Sequence, residues 1–140
     1  MTYTFTIQFG DTDPAGIVYY PNYYRWMDAA THALLEQIGY STRSLLSEQM
    51  TTPLVEAHCV FKSPGYYHRV VRVESHIAWI KRKVFQVVHT FYDGDTKLAE
   101  GYETRAVVSL QQDGMKAILI PEGLQQALVT QQVNEFVKTE

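Results

Sequence analysis

One helix-like segment followed by several long strand-like segments is the feature that most restricts the fold of this chain. From Pro21 to Gly39 apolar residues recur at helical spacing, and Pro21 suits a first helical turn because its missing N–H would be unpaired there. After Pro53 the chain turns to runs rich in β-branched and aromatic residues, which predict strands. The predicted helical stripe is Tyr24, Met27, Thr31, Leu34, Leu35 and Ile38, and the predicted strands are LVEAHCVF, RVVRVESHIAWI, KVFQVVHTFYDG and KLAEGYETRAVVSL.

Shorter patterns complete the predicted order of elements. A second, short helix is expected near residues 41–50, a terminal helix over 121–129, and a loose polar end from about 130 to 140. Asp93-Gly94-Asp95 and Gln112-Asp113-Gly114 have the composition of hairpin turns. At the start of the chain, strict alternation with polar residues predicts a half-buried first strand through Tyr3, Phe5, Ile7 and Phe9.

This order of elements predicts one α+β domain over residues 1–140, with an antiparallel sheet wrapped around one long helix. Hydrophobic residues make up 46% of the chain, which is enough for a substantial core. A single helix covers only part of a sheet of that size. We therefore expect an edge or a face of the sheet to meet another subunit.

Charge and hydropathy exclude several classes of protein. A net charge of −3 argues against a general nucleic-acid binder, because such proteins carry a basic surplus. No window holds the roughly 20 apolar residues of a membrane span, and the segment after Met1 is polar and strand-like rather than a signal peptide. The one cysteine, Cys59, excludes an internal disulfide and suits a reducing cytoplasm, and its apolar neighbours favour simple packing.

Several standard sites are missing from the sequence. There is no G-x-S-x-G nucleophile elbow, no G-x-x-x-x-G-K-[ST] phosphate loop and no G-x-G-x-x-G dinucleotide motif. Asp28 and His32 stand four apart on the helix, as a solvated or interface pair would. Four further histidines match no metal spacing, so they are expected in the core or on the surface: His58, His68, His76 and His89.

Two aspartates just before the helix form the first candidate for chemistry. Asp13 precedes Pro14, which forces extended geometry on it, and Gly16 allows a close approach of the backbone. The helix start offers unpaired N–H groups and the positive end of the helix dipole. A carboxylate facing such donors is the layout needed to attack a carbonyl, although on pattern alone Asp13 could equally cap a turn. Asp11 is interpreted as a turn residue or a support for Asp13.

The second candidate is the basic run Lys81-Arg82-Lys83, which follows Trp79. An exposed, charged edge strand would have this composition. Three cations beside an aromatic ring could also bind a phosphorylated ligand, with the planar arginine and the ring available to a nucleotide base. Both interpretations stay open on the residues alone.

The segment FGDTDPAGIVYYPNYYRWMDAA resembles the active-site segment of hot-dog-fold acyl-CoA thioesterases, most closely the 4-hydroxybenzoyl-CoA thioesterase type. Its D-x-D-P-A-G-I-V-x-Y-P-N-Y core is long and specific, and looser similarity extends over nearly the whole chain. The resemblance implies a sheet around a central helix and dimers that pair into tetramers, with active sites at the dimer interface. It also implies hydrolysis of a thioester to a free acid and coenzyme A, without a metal or a separate cofactor, since coenzyme A is part of the substrate.

The resemblance also assigns roles to particular residues. Asp13 matches the catalytic carboxylate, which acts as a nucleophile or as a general base toward water. The backbone N–H of Tyr20 matches the group that polarises the thioester carbonyl. Asp28 matches the acid that meets the aryl hydroxyl from the partner subunit, and Lys81, Arg82 and Lys83 match the run that contacts the nucleotide phosphates.

Departures from the family pattern bear on the substrate. Position 20 is Tyr, whereas the branch tied to the Tol–Pal envelope system has His there, so that branch's short-chain preference is not transferred. Tyr19 stands where the hydroxybenzoyl type has Trp, and Val84 stands where it has a small polar residue. Aromatic residues crowd the region and could stack on a ring: Tyr19, Tyr20, Tyr23, Tyr24 and Trp26.

The sequence therefore predicts an aryl-CoA thioesterase, with a hydroxylated benzoyl-CoA as the expected substrate. The main alternative is a thioesterase for short or medium aliphatic acyl-CoA. A non-catalytic acyl-CoA-binding protein is a second alternative. A hot-dog hydratase is disfavoured, because those enzymes pair an Asp with a His five residues later and position 18 is Val.

Overall fold

The computed structural model of the chain describes residues 1–111 and 114–133. Its long helix, α1, spans Pro21–Gln37, and two shorter helices follow, α2 at Thr42–Ser47 and α3 at Glu122–Val129. The strands, in chain order, are β1 Thr2–Thr6, β2 Met50–Thr51, β3 Leu54–Phe61, β4 Val70–Ile80, β5 Val84–Asp93, β6 Thr96–Ala106, β7 Val108–Ser109 and β8 Lys116–Ala117.

The main sheet is antiparallel and has the strand order β1-β4-β5-β6-β3. The predicted meander is confirmed for β4, β5 and β6, which pair in succession. It is wrong for β3, which pairs with β6 instead of β4 and lies at the sheet edge. Residues 62–69 separate β3 from β4 and contain Pro64 and Gly65, so this connection is too long and irregular for a tight hairpin.

Helix α1 contacts all five strands of this sheet, which confirms the expected hot-dog arrangement of a sheet around a central helix. The helix begins at Pro21 and is followed by Gly39, whose φ of +90° is the left-handed conformation that glycine favours at a helix end. The predicted stripe is shifted slightly, since Tyr24 and Ile38 are only half-buried. Its buried residues are Tyr23, Trp26, Met27, Ala30, Thr31, Leu34 and Leu35.

The helix and the sheet approach each other closely at Gly101 on β6. A Cβ atom there would lie 2.9 Å from Met27 Sδ on the helix and would collide with the carbonyl oxygen of His58 on the neighbouring strand. On the neighbouring strand, Cys59 is buried as expected. Burial raises the pKa of its thiol to about 11, and the charge of Glu100 adds to the effect.

The remaining predictions about local structure have mixed outcomes. The helices near 41–50 and over 121–129 are confirmed, whereas β1 ends at Thr6 and Phe9 is exposed in a short 3₁₀ turn. The run KLAEGYETRAVVSL is divided between β6 and β7. Residues 112–113 of one predicted turn and residues 134–140 of the predicted tail lie outside the described residues. None of the helices in the described ranges is both long and apolar enough to cross a membrane.

Candidate active site

The loop before α1 holds Asp13 in a defined position. The Asp13 N–H donates to the Ile17 carbonyl at 2.9 Å, and the Gly16 N–H donates to the Asp13 carbonyl at 2.9 Å. Gly16 has φ +82°, which lets the loop turn back toward the helix. The N–H of Ala15 donates to Asp13 Oδ1 at 2.9 Å. The second carboxylate oxygen, Oδ2, accepts no hydrogen bond from another described residue and is available to a ligand.

Asp11 ties this loop to the first turn of the helix. Its carboxylate accepts hydrogen bonds from the Gln8 N–H at 2.8 Å and from Arg25 Nη2 at 2.9 Å. Its carbonyl oxygen accepts from the Tyr19 N–H at 2.8 Å and from Asn22 Nδ2 at 2.9 Å. The prediction that Asp11 supports the turn is therefore confirmed, and Asn22 and Arg25 are supporting residues that the sequence analysis missed.

Tyr20 immediately precedes α1 and has helical backbone angles, with φ −55° and ψ −32°. Its carbonyl accepts from the Tyr23 N–H at 3.1 Å, but its own N–H donates to no other described residue. An unpaired N–H at the start of a helix carries partial positive charge. Such a group can bind a carbonyl oxygen that becomes negative during a reaction.

Asp13 and Tyr20 line one cleft of about 490 Å³. One wall comes from the loop between β3 and β4, because the Val18 N–H donates to the Gly65 carbonyl at 2.9 Å. A side chain at Gly65 would fit tightly, since its Cβ would lie 3.1 Å from the Tyr23 hydroxyl oxygen and one of the two would have to shift. The lining residues are Asp13, Ile17, Val18, Tyr20, Tyr23, Phe61, Lys62, Ser63, Pro64 and Gly65.

Tyr23 forms the aromatic floor of this cleft. Its ring contacts Phe61, Phe91 and Trp26 at centroid distances of 5.4, 5.2 and 5.4 Å. Burial raises the pKa of its phenol to about 12, so it is neutral at physiological pH. The segment from Phe61 to Gly65 was missed by the sequence analysis, because no motif marks it and only the fold brings it to the helix start.

The other aromatic residues predicted to bind substrate lie outside the lining of this cleft. Trp26 is buried in the core, with its ring 4.3 Å from that of Phe5. Tyr24 is half-buried against the same cluster, and Tyr19 is exposed, with its ring 5.5 Å from that of Tyr20. Their contact with substrate stays a prediction.

Asp28 also lies away from the cleft of its own chain. Its Oδ1 accepts a hydrogen bond from Arg105 Nη2 at 2.7 Å and lies 3.2 Å from His32 Nε2, which confirms the predicted pairing with His32. The side chain is 55% exposed. A role for Asp28 in substrate binding therefore requires a ligand that approaches from outside this cleft.

The basic run forms the turn of the β4–β5 hairpin instead of an edge strand. Lys81, Arg82 and Lys83 are exposed and, with Val84, line a separate cavity of about 540 Å³. Lys81 Nζ lies 4.7 Å from the centre of the Trp79 ring. The cation within the cleft of Asp13 is Lys62, whose Nζ is 3.6 Å from Glu100 Oε1.

A buried polar cluster under the middle of α1 was not predicted. His89, expected to be an ordinary core or surface histidine, is fully buried on β5. Its Nδ1 is 2.6 Å from Ser75 Oγ, and its Nε2 is 3.0 Å from Thr31 Oγ1. The Thr31 hydroxyl donates to Glu103 Oε1, so the Thr31 oxygen accepts a hydrogen bond from the N–H at His89 Nε2.

The cluster continues through an ion pair on β6. Arg105 donates to Glu103 from Nε at 3.3 Å and from Nη2 at 2.9 Å. Burial alone would raise the pKa of Glu103, but hydrogen bonds from His89, Arg105 and Thr31 and the charge of Arg105 outweigh burial and lower it to about 2. Glu103 is therefore ionised at neutral pH.

The fold and the cleft together define the class of protein. A sheet wrapped around one helix is the hot-dog architecture, and the residue before that helix, Tyr20, lines the same cleft as the Asp13 carboxylate. Residues 7–128 match the family model of the thioesterase-like superfamily, and the chain belongs to that superfamily.

Three similar proteins are named as thioester hydrolases. The chain is 34% identical over 123 residues to the 4-hydroxybenzoyl-CoA thioesterase of Pseudomonas sp. strain CBS-3, covering 82% of this chain and 87% of that protein. It is 33% identical over 92 residues to the 1,4-dihydroxy-2-naphthoyl-CoA hydrolase of Thermosynechococcus vestitus, covering 65% and 63%. The solved structure of a gentisyl-coenzyme A thioesterase matches with a TM-score of 0.82 and 37% identity, covering 92% and 99%. The protein is a thioester hydrolase.

Proposed function

We propose that this protein hydrolyses an aryl-CoA thioester, best represented by a hydroxybenzoyl-CoA, to the free acid and coenzyme A. The observation that carries the proposal is the meeting of Asp13 and Tyr20 in one cleft at the start of α1. The free carboxylate oxygen of Asp13 supplies the attacking or proton-accepting group. The unpaired Tyr20 N–H supplies a donor for the carbonyl oxygen.

Two chemical routes fit this arrangement. In the first, Asp13 attacks the thioester carbonyl carbon, the C–S bond breaks, the thiolate of coenzyme A leaves, and water then hydrolyses the mixed anhydride. In the second, Asp13 accepts a proton from a water molecule that attacks the same carbon, and the thiolate again leaves. Trapping an acyl-enzyme on Asp13 in a single turnover would select the first route. The Tyr20 N–H stabilises the oxyanion in both.

The character of the cleft supports an aromatic acyl group. Tyr20, Tyr23 and Phe61 line it, and Ile17 and Val18 add apolar surface. The three similar proteins named above act, by their names, on hydroxybenzoyl, gentisyl and dihydroxynaphthoyl thioesters, all of which carry aryl hydroxyl groups. Asp28, with one carboxylate oxygen free, is the proposed acceptor for such a hydroxyl. Tyr19, Tyr24 and Trp26 do not line the cleft of their own chain, and their contact with the substrate remains part of the proposal.

For coenzyme A, we propose that Lys81, Arg82 and Lys83 contact the nucleotide phosphates. Their exposure and their own cavity suit a large, charged group that lies outside the cleft of Asp13. No bound cofactor or metal is part of this proposal. A cytoplasmic location, where coenzyme A thioesters are formed, stays a prediction.

A homodimer that pairs further into a tetramer is the proposed assembly. Strand β3 lies at the edge of the sheet, so one side of its backbone has no neighbouring strand among the described residues. Four large apolar side chains on this strand are exposed, as expected for a surface that a second copy covers. They are Leu54, Val55, Val60 and Phe61.

Mixed dimers test whether the site is shared between subunits. An Asp13→Asn chain paired with an Asp28→Asn chain should regain selective turnover of hydroxybenzoyl-CoA, because one of the two sites then receives Asp13 and Asp28 from different chains. Co-expression of the two variants with different tags isolates this dimer. If the dimer has only the average of the two parent activities, Asp28 does not act across an interface. Light scattering on the same samples reports the oligomeric state.

Release of free thiol from a panel of coenzyme A thioesters tests the function itself. We expect 4-hydroxybenzoyl-CoA to give the highest kcat/KM, followed by benzoyl-CoA and then by butyryl-CoA and hexanoyl-CoA. If the aliphatic esters lead, the chemistry at Asp13 stands and the aryl proposal is wrong. If no member of the panel is hydrolysed, the proposal fails as a whole.

A further inference from the structure

The buried ion pair of Glu103 and Arg105 has no assigned role in the proposed reaction. Arg105 is 5% exposed and Glu103 is 2% exposed, beneath the middle of α1. A buried ion pair is weak evidence for stability by itself, because the cost of desolvating both charges offsets their attraction. A role for the pair therefore depends on the further residue that Arg105 contacts, which is Asp28.

Arg105 is fixed on three sides by the protein. Its Nε and Nη2 donate to Glu103, and its Nη1 donates to the Thr52 carbonyl at 2.9 Å. The planar guanidinium group cannot rotate without losing several of these hydrogen bonds at once. Its Nη2 also donates to Asp28 Oδ1 at 2.7 Å, the shortest distance that Arg105 makes to an acceptor.

Asp28 is the one exposed member of this chain of contacts. A 55% exposed aspartate would ordinarily sample several rotamers, but its Oδ1 is held by Arg105 from below and approached by His32 from the side. Its Oδ2 accepts no hydrogen bond from another described residue. Two neighbours therefore hold Oδ1 of this carboxylate, and Oδ2 is available to a donor from outside the chain.

We propose that Arg105 is a positioning residue for recognition of the aryl hydroxyl: anchored by Glu103 and Thr52, it holds Asp28 so that its free oxygen accepts the phenol of a substrate bound in the partner subunit's cleft. This inference rests on the proposed function. It adds that selectivity for hydroxylated substrates depends on a residue which never touches them. A hydrogen bond to an ionised acceptor discriminates strongly against a ligand that lacks the donor.

Selectivity, measured as a ratio of kcat/KM values, tests the proposal. Three substrates are compared: 4-hydroxybenzoyl-CoA, benzoyl-CoA, and 4-methoxybenzoyl-CoA, which has the oxygen but cannot donate. We expect the wild type to favour the hydroxyl compound by about 10-fold or more over both others. Arg105→Lys keeps the positive charge but loses the planar guanidinium group with its several donors. It should remove most of this preference and leave kcat/KM for benzoyl-CoA within about 2-fold of the wild-type value.

Two further variants separate positioning from general damage. Asp28→Asn should lose the same preference, and Arg105→Lys in the Asp28→Asn background should cause no additional loss, because both act through one hydrogen bond. Arg72→Lys is the matched control. Arg72 lies on β4 and pairs with Glu74 at 2.8 Å on the surface, so its substitution should leave all three rates unchanged.

The outcomes distinguish this inference from the proposed function. If the wild type hydrolyses aryl-CoA esters without preferring the hydroxyl compound, the inference and the choice of hydroxybenzoyl-CoA are overturned, while aryl-CoA hydrolysis stands. If Arg105→Lys keeps the preference that Asp28→Asn loses, only the inference is overturned. If the wild type hydrolyses no aryl-CoA ester, both are overturned. Should Arg105→Lys fail to fold, Glu103→Gln releases the same guanidinium group and must show the same loss of preference.

Discussion

Two polar groups near the start of α1 lack hydrogen-bond partners within the described residues, whereas those under its middle have them. At the start, one carboxylate oxygen of Asp13 and the N–H of Tyr20 make no hydrogen bond to another described residue, and both residues line one cleft. In the middle, Thr31 covers Glu103, His89 and Arg105, where every buried polar side-chain atom of the described residues has a partner. The same helix thus borders one site with polar groups available to a ligand and one with polar groups that are already hydrogen-bonded.

This difference separates reactivity from positioning. An unpaired group at a cleft is available for chemistry, and its loss should lower turnover without lowering stability. A paired group in the core has no bonding capacity left for a substrate, and its loss should lower stability first. The variants below test whether loss of turnover and loss of stability separate in this way, in order of decreasing effect.

The largest effect is expected for Asp13→Asn. This change keeps the side-chain volume and the hydrogen bond from Ala15 but removes the proposed nucleophile or base, so kcat should fall by about 10³-fold or more. The unfolding midpoint should stay near that of the wild type. Thiol release and urea unfolding measure the two quantities. Asp95→Asn, at an exposed turn, is the matched control and should keep full activity.

The second effect concerns stability. Glu103→Ala leaves the buried Arg105 with only half-exposed Asp28 as a charged partner, and should lower the free energy of unfolding by about 3–5 kcal/mol. Urea unfolding of Glu74→Ala provides the comparison, because Glu74 forms an exposed pair with Arg72 and should matter little. Equal losses in the two variants would show that the buried cluster is no more important than a surface ion pair.

A related, smaller effect is the dependence of stability on pH. The folded state lowers the pKa of Glu103 from 4.5 to about 2, so the unfolded chain binds this proton first as the pH falls. The contribution of Glu103 is complete above about pH 4.5 and is lost as the pH approaches 2, amounting to about 3 kcal/mol.

Glu103→Gln should remove that part of the pH dependence. Urea unfolding between pH 2 and pH 6 measures the slope for both proteins. A residual slope is expected from Asp93 and Glu100, whose pKa values are lowered by hydrogen bonds from Arg69 and Lys97. Parallel curves for wild type and variant would contradict the account of the buried cluster.

The smallest effect is expected for the basic turn. Replacing Lys81, Arg82 and Lys83 with Gln should raise KM about 10-fold with little change in kcat, because we propose that these residues bind the nucleotide and not the reacting atoms. The difference from wild type should shrink as salt is added. Lys116→Gln, an exposed lysine on β8, is the control. A fall in kcat at constant KM would place the turn nearer to the chemistry than proposed.

The cleft at the start of α1 and the buried cluster under its middle also differ in how well the sequence predicts them. The loop with Asp13 and the helix start at Pro21 are close in sequence, so local rules about proline, glycine and helix ends, together with a long family motif, were sufficient. The period-2 and helical patterns likewise predicted most elements of the fold. These signals depend on neighbours within a few residues.

The buried cluster depends on residues that are far apart in the chain. Thr31 and Glu103 are separated by 72 positions, and His89 joins them only because β5 and β6 pair beneath the helix. No local pattern distinguishes a histidine that completes such a network from one that lies on a surface. The same limit explains why Lys62 and Gly65 were missed at the cleft and why β3 was paired with the wrong strand.

The deep position of Cys59 has a chemical consequence. It is the sole thiol of the chain, and with a pKa of about 11 it is almost wholly in the unreactive S–H form at neutral pH. Disulfide reagents and alkylating agents should therefore modify the native protein more slowly than the unfolded chain. In an enzyme that cleaves thioesters, this cysteine is therefore a poor competing nucleophile for the substrate.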